Sequence, residues 1–227
     1  MSRGLFIVID GIDGSGKGTQ TELLIKRLQA EGREVMKVSF PRYDKPAATG
    51  VRLYLNGEFG GKEAVTPKLA SYLYAADRYD AAAEINAALD AGKTVVSDRY
   101  TSSNKGHQLA KIVSEDDRRA FLSWLNELEY KTLGIPKPDH TILMDMPAEI
   151  AYELIAKKDE RAYLNGKVRD IHEMDPDFLK ASQQAYLFAA QNDTVEHWSV
   201  LACVENGSLL PIELMHERLW ELVKRFL

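Results

Sequence analysis

The stretch GIDGSGKGTQ, residues 11–20, combines glycines with a lysine at a spacing that suits phosphate binding. Gly11, Gly16 and Lys17 fit a P-loop, in which inward-facing backbone N–H groups and a helix N-terminus together hold a phosphate. Lys17 would reach the β- and γ-phosphates of a nucleotide. The structural alternative is a glycine-rich turn with a surface lysine. The apolar run GLFIVID before the loop and a helical pattern after it favour the nucleotide site.

This reading predicts an ATP site with one departure from the usual P-loop. Gly18 stands where most P-loops carry the Ser or Thr that binds Mg²⁺, and Thr19 would point elsewhere on the helix. We expect Mg²⁺ to be held by the phosphates, by waters and by a carboxylate, either Asp98 or Asp13. Carboxylates in such pockets also bind water or a substrate hydroxyl, which is the alternative for both. The predicted ATP-binding residues are Gly11, Asp13, Gly14, Ser15, Gly16, Lys17, Gly18 and Thr19.

Three arginines outside the P-loop suggest a second phosphate site. Arg42 lies in FPRY, Arg78 in YAADRYD and Arg99 in DRYTSSN. The arginine fork binds two phosphate oxygens at once and stays charged. Two facing phosphate sites imply in-line transfer between nucleotides, for which the protein supplies positioning and charge neutralisation.

The elements that would position these residues alternate along the chain. Apolar runs predict strands, and apolar residues at helical spacing predict helices. The predicted strands are 4–10, 34–40, 93–100, 140–146 and 198–205, and the predicted helices are 18–32, 66–90, 115–131 and 211–226. This order predicts a single α/β P-loop NTPase domain over 1–227, with a five-stranded parallel sheet and helices on both faces. Ligands bind at the carboxyl ends of such strands. The highly charged segment at about 157–173 is expected to be a mobile lid.

Bulk composition narrows the class of protein. The chain has 227 residues, a net charge of −5 and a pI of about 5.6. This charge argues against sequence-independent coating of nucleic acid, so we expect no nucleic-acid partner. No apolar run approaches membrane-spanning length, so no membrane partner is expected. A single cysteine, Cys203, excludes an intrachain disulfide, and we expect a cytoplasmic protein.

Taken together and in order, these motifs resemble those of the thymidylate kinases. GIDGSGKGTQ, FPRY, LYAADRYD and DRYTSSN each match a family motif, as does PKPD at 136–139, so the resemblance covers essentially the whole chain. It implies transfer of a phosphoryl group from ATP to dTMP with Mg²⁺, giving dTDP and ADP. It also implies a homodimer with helices such as 66–92 at the interface, although an apolar helix stripe more often belongs to the intramolecular core.

The resemblance assigns roles to individual residues. Asp13 would accept from the sugar 3′-hydroxyl, and Arg42 and Arg99 would hold the acceptor phosphate, with Arg99 also contacting the transferred group. Tyr74 would stack on the pyrimidine and Arg78 would donate to a thymine carbonyl. Taken alone, Tyr74 would more often be a core residue and Arg78 a partner in a helix salt bridge. The implied dTMP site comprises Asp13, Phe40, Pro41, Arg42, Tyr74, Arg78, Arg99, Ser103, Asn104 and His107.

Two positions depart from the family pattern. His107 replaces an aromatic ring that packs where a ribose 2′-hydroxyl would lie, and it could simply fill the same space. Gly14 stands where some members carry a basic residue, so the resemblance implies that the lid supplies a catalytic cation. The predicted catalytic residues are Lys17, Arg99 and, from the lid, Arg161. The other lid cations are Lys157, Lys158, Lys167 and Arg169, and a solvated charged loop is the alternative for all of them.

Two other functions remain open at this point. Another nucleoside monophosphate kinase, with dUMP, UMP or AMP as acceptor, is compatible with His107 and with the GKGTQ ending, which is similar to that of adenylate kinases. A P-loop regulator that only binds or hydrolyses ATP is the alternative from a different class. Three arginines on the acceptor side would have no purpose in such a regulator.

Overall fold

The fold is a parallel β-sheet with helices on both faces. The computed structural model describes residues 3–60, 64–163 and 175–227, with only the backbone described at 157–163. The sheet strands are β1 (Phe6–Asp10), β2 (Val35–Ser39), β3 (Thr94–Asp98), β4 (His140–Asp145) and β5 (Trp198–Ala202). They are all parallel and lie in the order β2-β3-β1-β4-β5. The predicted fold class is confirmed.

Helices alternate with the strands. They are α1 (Lys17–Ala30), α2 (Thr49–Leu55), α3 (Pro67–Asp90), α4 (Thr101–His107), α5 (Glu115–Asn126), α6 (Ala148–Tyr163), α7 (Pro176–Asn192) and α8 (Ile212–Val223). Helix α3 begins as predicted, because the Thr66 side chain accepts a hydrogen bond from the N–H of Leu69 and Pro67 occupies the first turn. No helix in the described part of the chain is long and apolar enough to cross a membrane.

Two predicted elements are wrong in extent. The strand predicted at 198–205 ends at Ala202, and a separate hairpin follows, in which β6 (Val204–Glu205) pairs antiparallel with β7 (Ser208–Leu209). Asn206 and Gly207 both have positive φ in its turn, as a tight hairpin requires. The helix predicted at 115–131 changes at Asn126 into a π-helical segment, Glu127–Thr132.

The predicted lid at 157–173 is described only in part. Helix α6 continues through Tyr163, so the backbone at 157–163 is helical. The side chains at 157–163, including those of Lys157, Lys158 and Arg161, lie outside the described residues, as do Lys167 and Arg169 entirely.

Strand β1 lies at the centre of the core and is fully buried. Its Ile7 and Ile9 side chains pack in a cluster with α1 and α8, whereas Phe6 and Val8 pack in a cluster with α3. Burial on both faces explains why its sequence is continuously apolar rather than alternating.

The strand order brings three polar loops to one edge of the sheet. In the register of the sheet, Asp98 at the end of β3 lies beside Ile9 of β1 and beside Ser39 of β2. The loops that follow β1, β2 and β3 contain the P-loop, FPRY and DRYTSSN. These three motifs are therefore neighbours at the carboxyl end of the sheet, as the alternating pattern predicted.

Candidate active site

The P-loop connects β1 to α1 through backbone conformations that favour glycine. Gly16 has φ +82 and caps α1 in the left-handed region, and Gly14 has φ +79. The Nζ atom of Lys17 donates to the backbone oxygen of Ile12 at 3.2 Å and lies 3.6 Å from Oδ1 of Asp13. Lys17 thus folds back over the loop that would enclose a phosphate. Burial lowers its pKa, and Arg99 lowers it further.

Gly14 also shows why this loop carries no basic residue after Asp13. A Cβ atom at Gly14 would lie 2.5 Å from the backbone oxygen of Ala151 on α6. No side chain fits there without moving either the P-loop or α6.

Asp10, at the end of β1, connects the P-loop to α4 and α7. Its carboxylate is fully buried and accepts from the Gly11 N–H at 2.8 Å and from the hydroxyls of Ser102, Ser103 and Tyr186 at 2.6, 2.7 and 2.9 Å. Four hydrogen bonds to one carboxylate compensate for its removal from water. They also fix the position of α4 relative to the phosphate-binding loop.

Arg99 occupies the junction between the P-loop and α4. Its φ is +68, which is unfavourable for a residue with a Cβ and is found preferentially at functional sites. The guanidinium is paired with Asp13, and its Nη1 lies 3.0 Å from Nε2 of His107 and 3.4 Å from Oγ of Ser103. Burial alone would lower the pKa of Arg99, but Asp13 raises it well above its usual value.

The pKa values of two partners of Arg99, Asp13 and His107, are shifted in the opposite direction. Burial alone would raise the pKa of Asp13, but Arg99 and then Lys17 hold it well below its usual range. Burial, followed by Arg99, lowers the pKa of His107 to about 3. The His107 imidazole is therefore neutral at physiological pH, and its Nε2 can accept a hydrogen bond from Arg99. Phe178 and Tyr186 of α7 pack against the ring.

Asp98, one of the two carboxylates predicted to bind Mg²⁺, has a carboxylate oxygen that is available to a ligand. Its Oδ1 is buried and has no hydrogen-bond partner among the described residues. Burial raises its pKa, and Lys17 opposes that shift. A Cβ at Gly18 would lie 3.4 Å from its Oδ2, so the absent P-loop hydroxyl would have been close to this carboxylate. No group of three or more His, Cys, Asp or Glu side chains within the described ranges could form a metal cage.

A cavity of about 340 Å³ opens beside these residues. Asp13 and Arg99 line it where the P-loop meets α4, and Tyr74 and Arg78 line it from α3. Its lining residues are Asp13, Ser39, Phe40, Pro41, Tyr43, Leu55, Tyr74, Arg78, Arg99, Tyr100, Ser103, Asn104, His107, Gln108, Lys111 and Phe178. The volume is in the range of small-ligand sites. Nine of the ten residues implied for the dTMP site thus lie around one space.

The exception is Arg42, which is not among the lining residues. Its Nε donates to Oδ1 of Asp77 at 2.9 Å, its Nη2 donates to the backbone oxygen of Asp77 at 2.8 Å, and Asp80 also contacts Nη2. The structure therefore does not bring Arg42 into the cavity, and its phosphate-binding role stays a prediction.

A buried carboxylate supports the two polar residues on the α3 side of the cavity. Glu129, in the π-helical segment, is paired with the guanidinium of Arg78 and lies 3.4 Å from Nδ2 of Asn104. Arg78, Asn104 and Glu129 are 1%, 2% and 0% exposed. Burial works against the charge of Arg78, but Glu129 compensates and raises its pKa above the usual value. The helix salt bridge that was the alternative for Arg78 is thus replaced by a long-range pair.

Comparison with known proteins supports the family resemblance that the motifs indicate. A family model described as thymidylate kinase matches residues 9–203. A thymidylate kinase from Mycobacterium tuberculosis is 31% identical over 207 residues, which cover 90% of this chain and 95% of that protein. One from Bifidobacterium longum is 31% identical over 187 residues, covering 81% and 82%. The chain belongs to the thymidylate kinase family.

This chain also has the same fold as a solved structure. The thymidylate kinase of Candida albicans superposes with a TM-score of 0.73 over 99% of this chain and 93% of that one, at 23% identity. The resemblance inferred from the motifs is confirmed, as is the class of enzyme.

Sequence reasoning missed several residues around this candidate site. Asp10 had a signal, because a carboxylate directly ends an apolar strand at the edge where ligands bind. Glu129 had none, because it looks like one of many charges on an amphipathic helix. Phe178 and Tyr186 lie on α7, which the sequence analysis did not delimit.

Proposed function

We propose that this protein transfers the γ-phosphoryl group of ATP to the phosphate of dTMP, giving dTDP and ADP. The observation that carries the proposal is the single cavity that joins the P-loop side, with Asp13 and Arg99, to the polar side formed by Tyr74, Arg78 and Asn104. A nucleoside monophosphate placed with its base beside Tyr74 would present its phosphate to Arg99. The acceptor phosphate would then face the nucleotide in the P-loop.

The reaction needs no covalent intermediate on the protein. A dTMP phosphate oxygen forms a bond to the γ-phosphorus while the bond from that phosphorus to the β,γ-bridging oxygen breaks, and ADP leaves with the electron pair. Lys17 and the P-loop N–H groups neutralise charge on the donor side, and Arg99 holds acceptor and transferred oxygens in line. Asp13 would accept from the sugar 3′-hydroxyl.

Mg²⁺ fits best beside Asp98, whose Oδ1 is unpartnered among the described residues, whereas the Asp13 carboxylate already has Arg99 and Lys17. The ion would neutralise phosphate charge when bound. We further propose that Arg161 supplies a cation from the lid at about 157–173, that Arg42 reaches the acceptor phosphate, and that Gly18 and Thr19 complete the ATP site.

Three broader features are also proposed. One kinase domain spans 1–227 because the family model covers most of the chain. The protein acts in the cytoplasm, since it has a single buried cysteine and so needs no oxidising compartment. It forms a homodimer through α3, where Leu69, Tyr72 and Tyr79 are about half exposed.

The test is ADP release from ATP in the presence of dTMP, dUMP, UMP, CMP, AMP or GMP, each with Mg²⁺ and again with the metal chelated. We expect rapid turnover with dTMP, slower turnover with dUMP, little with the others, and none without Mg²⁺. Turnover with a ribonucleotide or a purine as the best acceptor would contradict the proposed pocket. ADP release that no monophosphate changes would favour an ATP-binding regulator.

A further inference from the structure

The side-chain amide of Asn104 can adopt only one favourable orientation. Its Nδ2 lies 3.3 Å from the backbone oxygen of Ser71 and 3.4 Å from Oε1 of Glu129. Both neighbours are acceptors, so turning the amide over would place its oxygen against two other oxygens. The nitrogen must therefore face the protein. No described residue donates to Oδ1 of Asn104, and the residue lines the cavity, so an acceptor is left for a ligand.

Arg78 is oriented by the same carboxylate. Its Nε donates to Oε2 of Glu129 at 3.1 Å and its Nη2 is paired with Oε1, while Nη1 lies 3.3 Å from the backbone oxygen of Tyr100. Of the five N–H groups of a guanidinium, one on Nη1 and one on Nη2 are left. Because Arg78 lines the cavity, these remaining donors are what it can offer to a ligand.

We propose that Glu129 is a positioning residue that makes this pocket select a 4-oxo pyrimidine over a 4-amino pyrimidine. It fixes a donor, Arg78, next to an acceptor, Asn104, without itself lining the cavity. This inference rests on the proposed function, since it concerns the base of the same acceptor nucleotide.

The chemistry of the two bases explains the selection. Thymine and uracil present a carbonyl oxygen at position 4 and an N–H at position 3, which complement a donor followed by an acceptor. Cytosine presents an amino group at position 4 and an unprotonated nitrogen at position 3. Against cytosine, Arg78 would face a donor and Asn104 would face an acceptor, so both pairs would fail. A buried polar pair without partners is a strong basis for rejecting a ligand.

Glu129 is suited to this role by its charge and its backbone. Only a carboxylate has two acceptor oxygens, so only a carboxylate can bind Arg78 and at the same time repel the Oδ1 atom of an Asn104 amide that has turned over. A glutamine at this position would present an amide that also donates. The Asn104 amide could then turn and offer its Nδ2 to the cavity. The π-helical backbone of Glu127–Thr132 is a rare conformation that recurs at functional sites, and it carries Glu129 into the core.

The test compares Glu129→Gln with Glu127→Gln, the same chemical change on an exposed residue of the same segment. The values of kcat and KM are measured for dTMP and dUMP, and dCMP is measured both as a substrate and as a competitive inhibitor against dTMP. We expect Glu129→Gln to reduce the preference for dTMP over dCMP by about 10-fold or more, mainly through KM and the inhibition constant. Both dTMP and dUMP present the same edge, so the ratio between them should not change. Glu127→Gln should leave every ratio unchanged.

A purely structural role would give a different pattern. The activities with dTMP and dCMP would fall together in Glu129→Gln and their ratio would stay as in the wild type, and this result would overturn the proposal. The ratio is independent of the fraction of folded enzyme, because both substrates are measured on one preparation. If Glu129→Gln fails to fold, the same measurements on Glu129→Asp decide the question. Its shorter carboxylate cannot hold both partners, so a reduced ratio supports the proposal and an unchanged ratio overturns it. Absence of dTMP turnover in the wild type would instead contradict the proposed function.

Discussion

Replacing Arg99 by glycine should separate catalysis from stability. Arg99 has φ +68, a conformation that costs an arginine about 1–2 kcal/mol and costs a glycine almost nothing. The substitution therefore relieves backbone strain at the position where it removes the guanidinium. It also removes the ion pair with Asp13. Lys17 then remains as the cationic partner of Asp13, with its Nζ atom 3.6 Å from the carboxylate.

The magnitudes of the two effects differ widely. The Arg99 side chain is 18% exposed, so losing its pair with Asp13 should cost about 1–2 kcal/mol, close to the strain that is relieved. The free energy of unfolding should thus change by no more than about 2 kcal/mol, or a few degrees in Tm. Loss of an arginine that stabilises a transferring phosphoryl group reduces turnover by about 10³-fold or more, which corresponds to ~4 kcal/mol.

The assay is ADP release with saturating ATP, Mg²⁺ and dTMP, alongside thermal denaturation of the same preparations. Arg218→Ala is the matched control, because Arg218 also pairs with a carboxylate, Glu205, at 2.8 Å, but on the surface and outside the lining of the cavity. The control should retain full activity. If Arg99→Gly keeps its turnover within about 10-fold of the wild type, Arg99 does not stabilise the transferred group and the reasoning is refuted.

Two further predictions concern the P-loop and His107. Gly14→Ala places a Cβ 2.5 Å from the backbone oxygen of Ala151, whereas Gly57→Ala has a similar φ of +78 and open space around it. Thermal denaturation should therefore show a larger fall in Tm for Gly14→Ala, and equal falls would contradict the clash. Because the pKa of His107 is lowered from 6.5 to about 3 by burial and then by Arg99, only the unfolded chain takes up this proton as the pH falls below about 6.5. Its contribution to stability is complete above that pH and is lost progressively towards pH 3. Urea unfolding between pH 6.5 and 4.5 should depend less on pH in His107→Phe, and an identical slope would contradict the assignment.

Local patterns in the sequence predict most of the fold. The glycines of the P-loop and the Thr66 cap act within a few residues, so their geometry can be inferred from spacing alone. The hairpin after β5 had a local signal too, because Asn206-Gly207 is a preferred turn, but the continuous apolar run WSVLACVE concealed the end of the strand at Ala202.

The contacts that organise the site could not be inferred in this way. Arg78 and Glu129 are 51 residues apart along the chain, and Tyr186 and Asp10 are 176 residues apart. Hydrophobic periodicity assigns an element and a face, but it does not say which elements meet. These partners meet only because the π-helical segment lies against α3 and because α7 lies against the end of β1.

Carboxylate partners explain how the cations in and around the cavity can belong to a stable fold. Arg99 and Lys17 both contact Asp13, Arg78 is paired with Glu129, and Arg42 with Asp77. A buried cation without a partner would destabilise the fold by several kcal/mol. A phosphate that binds to Arg99 or Lys17 must therefore compete with Asp13, which repels it. The same carboxylate is the proposed acceptor for the sugar hydroxyl, and that bond would draw Asp13 towards the sugar as the phosphate takes its place beside Arg99. Binding of sugar and phosphate would then be coupled through one side chain, because each makes the other more favourable.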